Sequence, residues 1–426
     1  MSDTKDKTLL ASRRGFLTGA AGLMAAAGSA GLTSAAVAAE PNAMGGGGQD
    51  LHKSEAFWGP HQGGIATRQQ TNSYFAALDI ITDKRAEVEA LLRVWTDAAA
   101  RMTAAQTAVA LSDDTSQPAT DSGEALSLPP ARLTLTFGFG PGLFTKDGND
   151  RFQLAARRPE AFADLPKFPG DQLVEEHTGG DLSVQACADD PQVAFHAVRQ
   201  LVRLADGVAT IRWTQTGFAA GPASKGTGRN LMGFKDGTIN PTDFDHFVWV
   251  GTEGPDWMRG GSYLVARRIR IALEHWDRMN VAFQEQVVGR HKYSGAPLGG
   301  KHEAEPLDLN ATDKDGNLVI PESAHARLSH PDLNDGAQIL RRAYSYNDGV
   351  NMTAERWPPW RQGMEYDAGL FFMGYQRDPR TGFVVMYEKM SRMDAMNQFL
   401  THVGGGLFAC PGGPAKGEFI GQRLFA

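Results

Sequence analysis

Two stretches of the chain repeat one alternation of strand-like and helix-like patterns, and this repeat limits the fold more than any other feature. The first stretch begins with "NSYFAALDI", which reads as a strand, and continues with an amphipathic helical pattern. Its predicted elements are a strand at 72–80, a helix at 84–102, strands at 131–140 and 181–188, a helix at 191–205 with Pro191 in its first turn, and a strand at 208–218. The order β-α-β-β-α-β is that of a ferredoxin-like domain.

The second stretch predicts the same unit with an interruption. It offers a strand at 261–271, a helix at 273–289, strands at 368–376 and 382–390, and a final helix at 392–403. We expect an insertion from about 290 to 365, and a loop of that length in a compact domain is usually functional. The sequence therefore predicts an α+β protein of two ferredoxin-like domains, 39–225 and 226–426, with the functional site in the second.

The N-terminus has the order of an export signal. Charged residues precede Arg13-Arg14 in "SRRGFL", a weakly apolar Ala/Gly stretch follows, and Ala36-Val37-Ala38 provides a small-residue cleavage site. This order indicates a twin-arginine signal peptide over residues 1–38. A membrane anchor would need about 20 strongly apolar residues, and this stretch is diluted by Gly, Ser and Thr. We therefore expect the twin-arginine translocase to export the folded chain to the periplasm or beyond, a route much used by cofactor proteins.

Charge and cysteine content exclude several classes of function. The 426 residues carry 42 basic and 49 acidic side chains, a net charge of -7, which argues against binding nucleic acid through phosphate neutralisation. A small-molecule partner is the better expectation. Cys187 and Cys410 are the only cysteines, so there is no four-cysteine metal site and no C-x-x-C-H for covalent haem. They could form a disulfide, but burial as free thiols is favoured.

Three short segments hold the candidate chemistry. In "LMGFKDGTIN" (231–240), Asp236 stands in a glycine-flanked bend that is either an ordinary turn or the seat of a catalytic carboxylate. In "PESAHARLSHP", His325 and His330 are five apart, a poor spacing for two metal ligands on one helical face. One neutral imidazole is what axial ligation of haem iron requires, although a lone histidine is more often an ordinary residue. In "QILRRAYSY", at least one arginine of the pair 341–342 is expected to face a pocket.

These segments together resemble the dye-decolourising peroxidases. That family consists of haem enzymes with two ferredoxin-like domains and a G-x-x-D-G signature, which "GFKDG" matches, followed by the histidine of "AHARL" and by "LRRAYSY". The leader, "HQGGIAT" (61–67), "SGAPLGG" (294–300) and "VGGGLFACPGG" (403–413) are most similar to the exported subgroup tied to bacterial iron uptake, also called deferrochelatases. The resemblance covers essentially the whole mature chain.

The resemblance implies a set of site residues around non-covalent haem b. His325 would be the proximal ligand to the iron, Asp236 the distal carboxylate and Arg341 the distal arginine. The further residues implied to contact or support the haem are Gly237, Thr238, Ile239, His330, Pro331, Asp332 and Asp394, the last as the partner of the other imidazole nitrogen. Two departures, the alanine after His325 and Ala343 in place of a glycine, leave the pocket volume open.

The chemistry of these groups agrees with a peroxidase. An ionised Asp236 could move a proton between the two oxygens of hydrogen peroxide, and its reference pKa near 4 predicts an acidic optimum. Arg341 would stabilise the negative charge that develops on the outer oxygen. The sequence thus predicts oxidation of small organic reductants or ferrous iron by hydrogen peroxide. The alternative is a protein that releases iron from haem and leaves the porphyrin intact.

The resemblance also bears on partners and on large substrates. It implies contact with components of an iron-uptake system and allows a homodimer. Dyes too large for a peroxide pocket could deliver electrons through surface aromatics, for which Trp357, Trp360, Tyr344 and Tyr346 are candidates. For any single one of these four, a packing role is favoured over electron transfer.

Overall fold

A computed structural model describes residues 51–220, 227–354 and 362–426. The signal-peptide prediction and the candidates Trp357 and Trp360 therefore lie outside the described residues. Within these ranges the strands are β1 (Asn72–Ile80), β2 (Thr134–Phe139), β3 (Leu182–Ala188), β4 (Ala209–Phe218), β5 (Ser262–Ile271), β6 (Leu340–Arg341), β7 (Tyr344–Ala354), β8 (Gln362–Gln376) and β9 (Leu400–Cys410). The α-helices are α1 (Arg85–Thr103), α2 (Pro191–Leu204), α3 (Phe244–Phe247), α4 (Leu273–Trp276), α5 (Val281–Val288), α6 (His325–Leu328), α7 (Phe383–Met393) and α8 (Gln422–Phe425).

The first half has the element order that the sequence predicts. Its four strands pair antiparallel in the order β2-β3-β1-β4, and α1 and α2 follow β1 and β3. Helix α2 begins where Asp190 accepts hydrogen bonds from the amides of Gln192 and Val193, with Pro191 as the first helical residue. The apolar faces of both helices cover one face of the sheet, where Trp95 of α1 and Leu201 of α2 are buried.

The second half has the same strand order, β7-β8-β5-β9, but four predictions about it were wrong. Residues 382–390, predicted as a strand, belong to α7, because Phe383, Met386, Tyr387 and Met390 recur with helical spacing and face one cavity. Residues 392–403 were predicted as a helix, but only the first two belong to one, as the end of α7. The rest form one 3-10 turn at Ala395–Gln398 and then enter β9.

The third error concerns the insertion at 290–365. Strands β6 and β7 lie inside it and pair with β8, so the stretch without strands ends before Leu340. In addition, the single helix predicted at 273–289 is two helices, because the Asn280 side chain accepts a hydrogen bond from the Phe283 amide and begins α5.

The two halves form one closed sheet. Strand β2 meets β9 at Phe139–Ala409, β4 meets β7 at Phe218–Ser345, and β8 also pairs with β5. Side chains of both halves fill the interior, including Phe75, Trp213, Phe371, Tyr375 and Phe408. The molecule is an α+β protein with a filled, closed sheet.

Two questions that the sequence left open are answered by which side chains lie in this interior. Cys187 and Cys410 are both buried and both free, so the disulfide is not formed. Tyr344 and Tyr346 are fully buried, so the prediction of surface aromatics was wrong for these two, and the packing interpretation holds. Among the described residues, no helix is long and apolar enough to cross a membrane.

Candidate active site

A large cavity lies beside the outer face of β5 and β8, under α7. Its empty volume is about 1700 Å³, a figure that includes the mouth open to solvent. The walls are mostly apolar, with Phe234, Ile271, Val288, Leu370, Phe372 and Met390 among the lining side chains. The polar groups that reach it include Asp236, His325, Arg341 and Asp394. Residues of three sequence segments that the predictions singled out thus line a single cavity.

His325 is the first residue of α6, and Asp394 holds its ring. The Nδ1 atom lies 2.7 Å from Asp394 Oδ2, and the Asp394 side chain is almost fully buried. A hydrogen bond from the Ala395 amide to the Ser323 carbonyl ties the two segments together. The other ring nitrogen, Nε2, makes no hydrogen bond to any described residue, and 32% of the side-chain surface is open to the cavity. His325 therefore presents one free imidazole nitrogen on a fixed ring.

The carboxylate of Asp394 changes the acid-base behaviour of this ring. Burial by itself lowers the pKa of the His325 imidazole, but the adjacent Asp394 charge and its hydrogen bond outweigh burial, so the pKa is raised above 6.5. A metal ligand must be neutral at the ligating nitrogen, so a protonated ring would have to release the Nε2 proton to bind a metal. Asp394 keeps the remaining proton on Nδ1, which orients the ring and increases its basicity.

The segment that carries Asp236 is a small closed loop. Arg229 and Lys235 pair as an antiparallel bridge, and the Asp236 amide donates to the Gly228 carbonyl at 3.0 Å. Gly237 has φ +98°, a backbone conformation that L side chains rarely adopt. The loop therefore turns directly after Asp236, and Gly237 is needed for that turn.

Arg341 meets Asp236 in the same cavity. Its Nη1 atom donates to Asp236 Oδ1 at 3.3 Å and its Nη2 atom donates to the Ile239 carbonyl at 3.1 Å. The second carboxylate oxygen, Oδ2, accepts only a long contact of 3.5 Å from Asn230 Nδ2. Asp236 therefore has one oxygen bonded to a guanidinium and one oxygen with only a long hydrogen bond.

Glu303, which the sequence predictions missed, fastens this loop to the 290–339 segment. It accepts hydrogen bonds from the Thr227 amide at 3.2 Å and from Thr238 Oγ1 at 3.3 Å, and it pairs with Lys235. Burial raises the pKa of the Glu303 carboxyl, but the hydrogen bonds from Lys235 and Thr227 outweigh burial and lower it to about 2. Glu303 is therefore ionised throughout the ordinary pH range. No local pattern in "KHEAEP" marks it, because its partners are more than 60 residues away in sequence.

The remaining predicted site residues divide into two groups. The residues Gly237, Thr238, Ile239, His330 and Pro331 line the cavity. Asp332 does not, since 77% of its side chain is exposed to solvent. Several lining residues were not predicted, among them Arg290, Tyr387 and His402.

The comparison with known families follows the two halves of the fold. The model described as "Dyp-type peroxidase, N-terminal" matches residues 62–219, and that described as "Dyp-type peroxidase, C-terminal" matches residues 227–415. The chain belongs to the Dyp-type peroxidase family. A curated family member, the dye-decolorizing peroxidase of Thermobifida fusca, is 38% identical over 384 residues, which cover 85% of this chain and 83% of that protein.

Two further proteins are similar to this chain over most of its length. The deferrochelatase of Escherichia coli K12 is 32% identical over 388 residues, covering 88% of each chain. An oxyferrous complex of DtpA from Streptomyces lividans has a similar structure, with a TM-score of 0.79 and 41% identity over 89% of this chain and 99% of that one. The resemblance drawn from "GFKDG", "AHARL" and "LRRAYSY" is confirmed at the level of the family.

Proposed function

We propose that the protein is a haem b peroxidase that uses hydrogen peroxide to oxidise small organic reductants or ferrous iron. One observation carries this proposal: a histidine with a free Nε2 and a carboxylate-guanidinium pair line the same apolar cavity. Family membership supports it, since the relatives include a dye-decolorizing peroxidase and an oxyferrous complex.

The residues present fit a haem. The mostly apolar walls of the cavity, with a few polar groups among them, suit a flat macrocycle. His325 Nε2 would hold the iron, with Asp394 on the opposite ring nitrogen. The backbone of Gly237, Thr238 and Ile239, with His330 and Pro331, would lie against the ring edge. Asp332 is the weakest member of the proposed set because it faces solvent.

Asp236 and Arg341 would have different roles in the reaction with peroxide. Haem, when bound, would supply the iron at which the O–O bond of peroxide is broken and which then takes electrons from the reductant. Asp236 Oδ2 would take the proton from the inner oxygen of peroxide and return it to the outer one, so that water leaves. Arg341 would stabilise the negative charge that develops on the outer oxygen, and its bond to Oδ1 orients the carboxylate.

The alternative activity is release of iron from haem with the porphyrin left intact. The Escherichia coli relative named deferrochelatase favours it. Incubating the haem-loaded protein and measuring free protoporphyrin separates the two activities. Protoporphyrin without peroxide-dependent oxidation of a reductant would replace the peroxidase proposal by this one.

The proposal extends to organisation and location. The equal strand orders β2-β3-β1-β4 and β7-β8-β5-β9 support two ferredoxin-like domains, at 39–225 and 226–426. Arg13-Arg14 and the small residues at 36–38 support export through the twin-arginine translocase to the periplasm, in the service of iron uptake. A homodimer and contacts with uptake components are part of the same proposal.

The haem ligand provides the direct test. Haem-free protein is titrated with haem, and the Soret band is followed for the wild type, for His325→Ala and for His246→Ala, which removes an exposed histidine away from the cavity. We expect the band to be lost only in His325→Ala. A normal band in that variant, or a wild type that reacts with peroxide without haem, contradicts the proposal.

A further inference from the structure

The side chain of Asn240 is bonded to both backbone polar groups of Arg341. The Arg341 amide donates to Asn240 Oδ1 at 3.0 Å, and Asn240 Nδ2 donates to the Arg341 carbonyl at 3.2 Å. Strand β6 is only two residues long and pairs with β8 on its other edge, through Arg341–Gly374. One carboxamide therefore occupies the place that a neighbouring strand would otherwise take.

The guanidinium of Arg341 donates hydrogen bonds to the same segment that carries Asn240. Its bonds to Asp236 Oδ1 and to the Ile239 carbonyl close a ring of four contacts between residues 236–240 and Arg341. The ion pair alone fixes little, because Arg341 and Asp236 are 29% and 26% exposed and their closest approach is 3.3 Å. Asn240 on one edge and β8 on the other hold the backbone from which the arginine side chain begins.

The residues around Asn240 suit this role. Pro241 follows it, lines the cavity, and restricts the residue before it to extended backbone. A carboxamide offers one donor and one acceptor, the pair that a backbone N–H and C=O require. An aspartate would set a carboxylate oxygen against the Arg341 carbonyl, and an alanine would leave both backbone groups unbonded.

We propose that Asn240 is a positioning residue that sets Arg341 against Asp236. Its consequence for peroxide rests on the proposed function, whereas the backbone contact itself does not. Asn240 does not touch the reacting atoms in this arrangement; it acts through Arg341.

The first measurement needs no haem. Hydrogen exchange at the Arg341 amide is followed in haem-free wild type, Asn240→Ala, Asn240→Asp and Asn310→Ala, the last being an exposed asparagine outside the cavity. We expect exchange at this amide to be faster by about tenfold or more in Asn240→Ala, and unchanged in Asn310→Ala. Asn240→Asp keeps the acceptor for this amide and should show a smaller increase. An Arg341 amide that exchanges at the wild-type rate in Asn240→Ala overturns the proposal.

The second measurement is a double-mutant cycle on the haem-loaded protein. Asn240→Ala should slow the reaction with peroxide about tenfold while haem affinity stays the same, because a displaced group costs rate. In an Arg341→Ala background the same substitution should have no further effect, since its route of action is gone. An equal tenfold loss in both backgrounds would mean a general structural effect and would overturn the proposal. If Asn240→Ala does not fold, Asn240→Asp replaces it in the cycle.

The two measurements separate the two proposals. A wild type that binds no haem or does not react with peroxide defeats the proposed function, and the exchange comparison then decides the Asn240 contact alone. A wild type that reacts, with normal exchange at Arg341 in the Asn240 variants, defeats only the positioning role.

Discussion

Replacement of Asp394 by asparagine isolates the effect of the carboxylate on His325. Both oxygens of Asp394 accept hydrogen bonds: Oδ2 from His325 Nδ1 at 2.7 Å and Oδ1 from the Met396 amide at 2.8 Å. Asparagine has the same shape but offers one acceptor and one donor. Whichever way the asparagine amide is turned, its NH₂ group faces either His325 Nδ1–H or the Met396 amide, and that donor then has no acceptor. Water cannot easily replace the lost acceptor, because the side chain at this position is almost fully buried.

The size of the effect follows from that mismatch. A buried donor left without an acceptor costs about 1–3 kcal/mol, which is a factor of roughly 5 to 150 in a binding constant. If the NH₂ group turns to His325, the proton of the imidazole moves to Nε2, the nitrogen that iron requires. We therefore expect the Asp394→Asn protein to bind haem about 10–100-fold more weakly than the wild type, the range found for partners of metal-ligating histidines.

Haem affinity is measured by titrating haem-free protein against a competing haem binder and following the Soret band. Asp277→Asn, an exposed carboxylate outside the cavity, is the matched control and should bind like the wild type. Thermal unfolding of the haem-free proteins shows whether the fold is kept. An Asp394→Asn affinity within about twofold of the wild type, or an equal loss in Asp277→Asn, refutes the reasoning.

Three further substitutions test other parts of the site. Asp236→Asn should slow the stopped-flow reaction with peroxide by about 10²–10⁴-fold with haem affinity unchanged; an unchanged rate would move the proton transfer to another group. Gly237→Ala should lower the free energy of unfolding by about 1–3 kcal/mol because of φ +98°, while Gly363→Ala, with ordinary φ and open space, serves as the control in thermal unfolding. Glu303→Gln should be less stable than the wild type by at most about 3 kcal/mol above pH 4.5, and the difference should shrink as the pH falls towards about 2. A lowered folded-state pKa gives its full stability above the unfolded value and loses it progressively as the pH falls to the folded value. A difference that persists in denaturant unfolding near pH 2 would show that the Glu303 charge is not its source.

The elements of the first half were predictable because each is long and has one clear period. Helix α1 has 19 residues with a buried stripe, and β1 has the predicted bounds. The second half was harder for a physical reason. The "GFVVMYEKM" segment is rich in β-formers, and its helical spacing becomes evident only from the cavity that Met386, Tyr387 and Met390 face. The end of the chain was misread because β9 contains three consecutive glycines, which fit where the backbones of β5 and of the His177 region approach closely.

In the candidate site, too, some residues were found from local sequence motifs, whereas others depend on contacts between residues far apart in the chain. His325, Asp236 and Arg341 stand in segments with recognisable patterns, and the resemblance to a family supplied their roles, which stay predictions. Asn240 ends the quoted segment "LMGFKDGTIN", but no role was predicted for it from the sequence. Its contact with Arg341 spans 101 positions, and that of Glu303 with Thr227 spans 76. Hydrogen bonds from a side chain to a distant backbone leave no period in a sequence, so pattern reasoning could not find them.

The position of the cavity follows from how the two repeated units differ. The interior of the closed sheet is filled by aromatic side chains of both halves, so a ligand of any size must bind outside it. In the first half, helices of 19 and 14 residues cover the outer sheet face with a continuous apolar core. In the second half, the corresponding helices have 4, 8 and 11 residues, and Ile269, Ile271, Leu370 and Phe372 of the sheet line the cavity. Shortening the helices of one unit leaves a slot with apolar walls, and the 290–339 segment supplies the histidine at its edge.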